Sequence, residues 1–119
     1  MNTTTIKQGT IKIFDQDAHL LTWLNAFMVD RKAQNMSAGT LDFYQKKLKY
    51  FAEFCDGQAI TLITQIDAPL IREFLLWLEN KDHNPGGIHA AYRSLRTFLN
   101  WWENKIEPEG WKNPIGVGA

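Results

Sequence analysis

Cysteine is almost missing from this chain: Cys55 stands alone among 119 residues, so no internal disulfide can staple the fold and no thiol pair can hold a metal. Long apolar runs are missing too. The longest strongly apolar stretch, Phe74 to Leu78, has five residues, against the roughly 20 that a membrane-crossing helix needs. The opening MNTTTIKQGTIKIFD lacks the basic segment and unbroken apolar core of a secretory signal, which, with the solitary thiol, predicts a reducing cytoplasm. Neither sign of charge dominates. The 13 Lys and Arg offset the 13 Asp and Glu, so no overall field argues for or against a nucleic-acid partner. Finally, His19, His83, His89 and Cys55 are the only residues of the commonest zinc-ligand types, and no two fall at C-x-x-C or H-x-x-x-H spacing. No metal and no cofactor is expected.

What is plentiful is aromatic area. Five Trp, seven Phe and three Tyr exclude a disordered chain except near its ends, and the length suits a single domain with a real core. Residues 1–16 carry a Thr cluster without sustained period and read as a flexible N-terminal arm. From Asp15 or Asp17, either able to cap, Leu20, Leu24, Phe27 and Met28 follow at helical steps. Asn35 to Gly39 breaks the pattern, Ser37 is a cap, and Leu41, Tyr44, Leu48, Phe51 and Cys55 make a second stripe that Gly57 can stop. Gln58 to Gln65 is β-branched but has no partner strand, so it reads as an apolar connector. Asp67 and Pro69 open a third helix through Ile71, Phe74, Leu75 and Leu78. Leu70, Leu76 and Trp77 widen its apolar surface, which predicts the most buried element. Asn84 to Gly87 punctuates before Ile88, Ala91, Tyr92, Leu95, Phe98, Leu99 and Trp102 form a fourth helix, and Pro108 to Gly118 reads as a linker.

The reading is therefore all-α: four helices over 17–106 between an arm and a linker at 107–119, with no repeat. Leu24, Phe27, Leu48, Phe51, Phe74, Leu78, Leu95 and Phe98 are the expected core. Trp102 continues the apolar stripe of the last helix, whereas Trp101 sits one position off it and is expected to pack against Trp111 or Ile115.

No catalytic constellation emerges. Cys55 continues an apolar stripe and reads as a buried, inert thiol, the carboxylates are scattered, and Pro85-Gly86-Gly87 lacks the Lys-Ser/Thr of a P-loop. Charge segregation is more telling. From Arg31 to Tyr50, Arg31, Lys32, Lys46, Lys47 and Lys49 face only Asp42, whereas from Phe51 to Asp82 six acids outnumber Arg72 and Lys81. On the fourth helix His89, Arg93, Arg96 and Asn100 recur at steps of four, three and four opposite the apolar stripe. Such a face can meet phosphates or base edges, and is equally the usual look of a solvated helix.

These two helices also carry a family's wording. Ser37-x-x-Thr40-Leu41-x-x-Tyr44-x-x-x-Leu48-x-x-Phe51 resembles the pattern of the N-terminal core-binding domain of phage integrases and other tyrosine recombinases. Tyr92-Arg93-Ser-Leu95-Arg96-Thr-Phe98-Leu-Asn-Trp101 is similar to that family's last core-binding helix, and Asn113-Pro114 to the Asn-Pro that begins its linker. The resemblance implies a four-helix SAM-like bundle that grips one face of duplex DNA while a separate catalytic domain grips the other as a C-shaped clamp. It places the second and fourth helices toward the major groove, with Thr40, Lys46, Lys47, Lys49, His89, Arg93, Arg96 and Asn100 as the DNA-binding residues. It implies other recombinase protomers as partners of the parent, and the isolated chain is expected to be monomeric and not itself an enzyme, because recombination chemistry resides in the downstream domain. One departure stands out: Pro85-Gly86-Gly87 replaces the Ser-x-x-Thr with which the family often opens its last helix. The alternative is a SAM-type protein–protein interaction module, the acidic third helix of one copy meeting a basic helix of another. A free-standing helix-turn-helix regulator fits less well, since no tight turn joins two short helices.

Overall fold

The computed structural model describes residues 18–115. The N-terminal arm with Asp15, the capping candidate Asp17, and residues 116–119 lie outside them. Among the described residues the architecture is all-helical: α1 (Leu20–Ala33), α2 (Ala38–Gly57), α3 (Ala68–Asn80) and α4 (Pro85–Ile106), with a 3-10 turn at Ile63–Gln65.

Three helices start where short polar side chains replace the missing backbone acceptors. Ser37, Asp67 and Asn84 accept from the amides of Thr40, Leu70 and Gly87 at 3.1, 2.9 and 2.7 Å, each cap contributing about 1 kcal/mol. The third of these corrects the expected break at Asn84 to Gly87. Asn84 is the cap, and Pro85, Gly86 and Gly87 form the first turn of α4, where a proline sacrifices no intrahelical bond. α1 starts later than expected, at Leu20 after an extended His19 without a side-chain cap. Its entry is fixed instead by tertiary pairing: His19 bridges Leu62, and the Leu20 amide donates to the Thr61 carbonyl at 2.9 Å.

The helix ends depart from the glycine rule. Gly57 is the last residue of α2, and left-handed backbone falls on Asn35, Ala59, Asp82 and Glu107. After α2 and α3 the reversal is secured by six-residue bonds, Ile60 N to Cys55 O at 2.9 Å and His83 N to Leu78 O at 3.1 Å, which take up carbonyls that the helix leaves open.

All eight expected core residues are buried, and Phe27, Phe51, Phe74, Leu78, Leu95 and Phe98 have no exposed surface. The rings interlock edge to face: Phe27 on Phe98 at 5.5 Å and Phe51 on Phe74 at 5.0 Å. The most buried element is α4, not α3. α4 packs against all three other helices and buries eight residues from Ala90 to Ile106, whereas Leu76 on α3 is 57% exposed. The two tryptophans do differ. Trp102 is fully buried and Trp101 half-buried, but the contact with the C-terminal segment belongs to Trp102, whose ring meets Trp111 at 5.3 Å. Trp101 turns instead to Trp23 and Phe27 of α1, at 6.1 and 5.3 Å. Cys55 is buried, and burial pushes its thiol up to about 12, as an inert core thiol requires.

Candidate nucleic-acid interface

The residues singled out on α2 divide between its two flanks. Lys47 is half-buried, its ammonium 5.9 Å from the Phe43 ring centre and 5.8 Å from that of Tyr50. It also reaches α4, for a Cβ built on Gly87 would stand 3.8 Å from Lys47 Nζ. The basic face of α2 and the first turn of α4 thus meet at this side chain. Lys46 is exposed and pairs with Asp42 at 3.1 Å, an i,i+4 contact worth only a few tenths of a kcal/mol, about 0.3 to 0.5, that a phosphate can displace. Lys49 lies on the other flank, in a shallow groove between α1 and α2 lined by Leu21, Met28 and Leu48, and is not brought to α4. Thr40 is exposed in the first turn of α2, its hydroxyl accepting from that of Ser37 at 3.0 Å.

On α4 the stripe holds. His89 and Arg93 are exposed, and Arg96 and Asn100 are half-buried along the same side. Arg96 leans on Tyr92, its guanidinium carbon 6.0 Å from the ring centre, while His89 inclines toward α3 in an open apolar groove with Leu75, Leu76 and Tyr92. Asn100 is already engaged, its Oδ1 accepting from Asn113 Nδ2 at 2.9 Å.

Two ion pairs exist among the described residues, Lys46 with Asp42 and Arg31 with Asp30. Arg31 therefore leaves the positive block: it sits 2.6 Å from Asp30 and over the Phe27 ring, and the hydrogen bond it gives holds the Asp30 carboxyl below its ordinary value. Lys47, Lys49, Arg93 and Arg96 have no carboxylate within ion-pair reach among the described residues. Of these, Arg93 and Arg96 share one side of α4, whereas Lys49 faces the α1 flank; unneutralised basic side chains are what a polyanion can meet.

Residues 19–101 match the family model of the phage integrase SAM-like domain, the greater part of the chain. The chain belongs to that family. A SAM-like integrase domain is a non-catalytic region of its parent. No curated protein and no solved structure matches the chain. No described helix of this SAM-like domain is long and apolar enough to cross a membrane. The match takes in α1 to α3 and most of α4 and ends at Trp101, so Asn100 lies inside it and its partner Asn113 outside.

Sequence reasoning missed two members of this surface. Phe43, 39% exposed beside Lys47, sits off the apolar stripe and carried no signal. Asn84 capping was legible in its Asn-Pro-Gly-Gly setting, but the glycines outweighed it.

Proposed function

We propose that this SAM-like domain grips duplex DNA through the outward faces of α2 and α4, as the core-binding half of a tyrosine recombinase of the phage integrase type acting in the reducing cytoplasm. The observation that supports the reading is the stripe of His89, Arg93, Arg96 and Asn100 along one side of α4, beside an α2 whose Lys47 has no ion-pair partner among the described residues and reaches the first turn of α4 at Gly87, in a chain of integrase family. Lys46, Lys47, Arg93 and Arg96 neutralise phosphates and release counterions. Thr40, His89 and Asn100 carry the polar groups that meet sugar–phosphate or base edges, and Lys49 reaches the backbone only from the α1 flank. Cleavage and strand exchange belong to a catalytic domain closing from the far side of the duplex, with further protomers assembling on the same DNA.

Titration of the labelled chain with duplex tests this. The amides of α2 and α4 are expected to move together, with a dissociation constant of about 10⁻⁴ to 10⁻⁶ M. The log–log salt slope is expected between about −3.6 and −4.5, four or five contacts at about −0.9 each. Shifts confined to the acidic α3, or no shift at low salt, reject the assignment. A salt-sensitive rise in apparent mass without DNA would support the protein-interaction alternative instead.

A further inference from the structure

The segment after α4 doubles back on the bundle. Trp111 Nε1 donates to the Ile66 carbonyl at 3.1 Å, and Ile115 is buried. Within this clasp Asn113, only 8% exposed, uses both ends of its amide. Its Nδ2 donates to Asn100 Oδ1 at 2.9 Å and to Glu103 Oε1 at 3.1 Å, while its Oδ1 accepts from the Ile115 amide at 2.9 Å.

An asparagine side chain offers one oxygen acceptor and one NH2 donor. With the Asn100 oxygen turned to Asn113, the NH2 is what Asn100 offers a ligand. Arg93 and Arg96, on the same side of α4, offer donors only. Phosphate oxygens and the guanine edge present acceptors to the major groove, whereas bidentate reading of adenine by asparagine needs its oxygen as well as its nitrogen.

We propose that Asn113 is a positioning residue that holds Asn100 as a hydrogen-bond donor, so that the α4 face addresses phosphate oxygens or guanine and not adenine. This rests on the DNA-binding reading above. It also couples the path by which the chain leaves α4 to the face that meets the duplex.

A double-mutant cycle on the full chain tests it, with a short mixed-sequence duplex at low salt as the probe. Asn100→Ala and Asn113→Ala are each expected to weaken binding about three- to tenfold, the worth of one hydrogen bond. The double variant is expected to bind no more weakly than Asn100→Ala alone, because Asn113 acts through Asn100. The salt slope stays unchanged, since neither side chain carries charge. If Asn113→Ala does not fold, Asn113→Ser replaces it: its hydroxyl still accepts from the amide two residues on but is too short to reach Asn100. Additive losses, an Asn113 variant that binds like wild type, or an inert Asn100→Ala would overturn the positioning role while leaving DNA binding intact. A wild-type chain that binds no duplex would overturn both.

Discussion

Phe98→Ala is expected to lower the unfolding free energy by about 3 to 5 kcal/mol, the range for emptying a large aromatic site in a core. Phe98 has no exposed surface and sits on α4, which packs against α1, α2 and α3. Its ring meets Phe27 edge to face at 5.5 Å and lies 6.3 Å from Trp101, so truncation removes both the buried area and two aromatic contacts. Collapse into the void is restrained, because the neighbours are themselves rings locked by further rings. A domain of this size holds only about 5 to 15 kcal/mol in total, so the variant loses a large share and melts roughly 15 to 30 °C lower. Urea denaturation followed by helical circular dichroism measures it. A loss below about 1 kcal/mol would mean that Phe98 is not central.

Reversing Lys47 and Arg96 to Glu together is expected to weaken duplex binding more than about a hundredfold at low salt. A hydrogen bond to a charged group is worth about 1.5 to 3 kcal/mol, and two are removed. Both side chains also change from attracting phosphates to repelling them. Neither residue supports the core: each rests on the surface of exposed or half-buried rings, Lys47 on Phe43 and Tyr50 and Arg96 on Tyr92. Helical content should therefore be retained. Reversal of Lys49 alone serves as the contrast, because it projects from the α1 flank and should cost less than tenfold, of the order of one contact or less. Equal losses from Lys49 and from the pair would mean that binding is a diffuse charge effect with no face.

The four helices were legible because burying one side of a helix forces apolar residues into steps of three and four, as Leu41, Tyr44, Leu48, Phe51 and Cys55 do. The same arithmetic made the α4 stripe of His89, Arg93, Arg96 and Asn100 legible. It failed where a linear tally of charge ignored angle. Lys47 and Lys49 are two residues apart, hence about 200° apart around a helix, and they face different partners. The family wording was correct over residues 19–101. What left no trace was anything fixed across distance in the chain: the start of α1, set by Thr61 and Leu62, and the return of Trp111 to Ile66, 45 residues back. The extent of α3 burial was misjudged because α3 has one flank on the bundle and another, with Leu76, turned outward.

The solitary thiol has a kinetic meaning. Cys55 is neither exposed nor ionised in the native chain, so a thiol reagent can reach it only while the end of α2 has come away from the core. Labelling then counts openings one chain at a time, with no second cysteine to confuse the count. The reading speeds up in alkali for a second reason. The buried thiol keeps its proton up to about pH 12, whereas an unfolded one starts to lose it near 9.0, so above that pH the open chain binds fewer protons and stability falls as pH rises. The chain thus carries a stopwatch for its own breathing, one whose rate should slow when duplex holds α2 against α4.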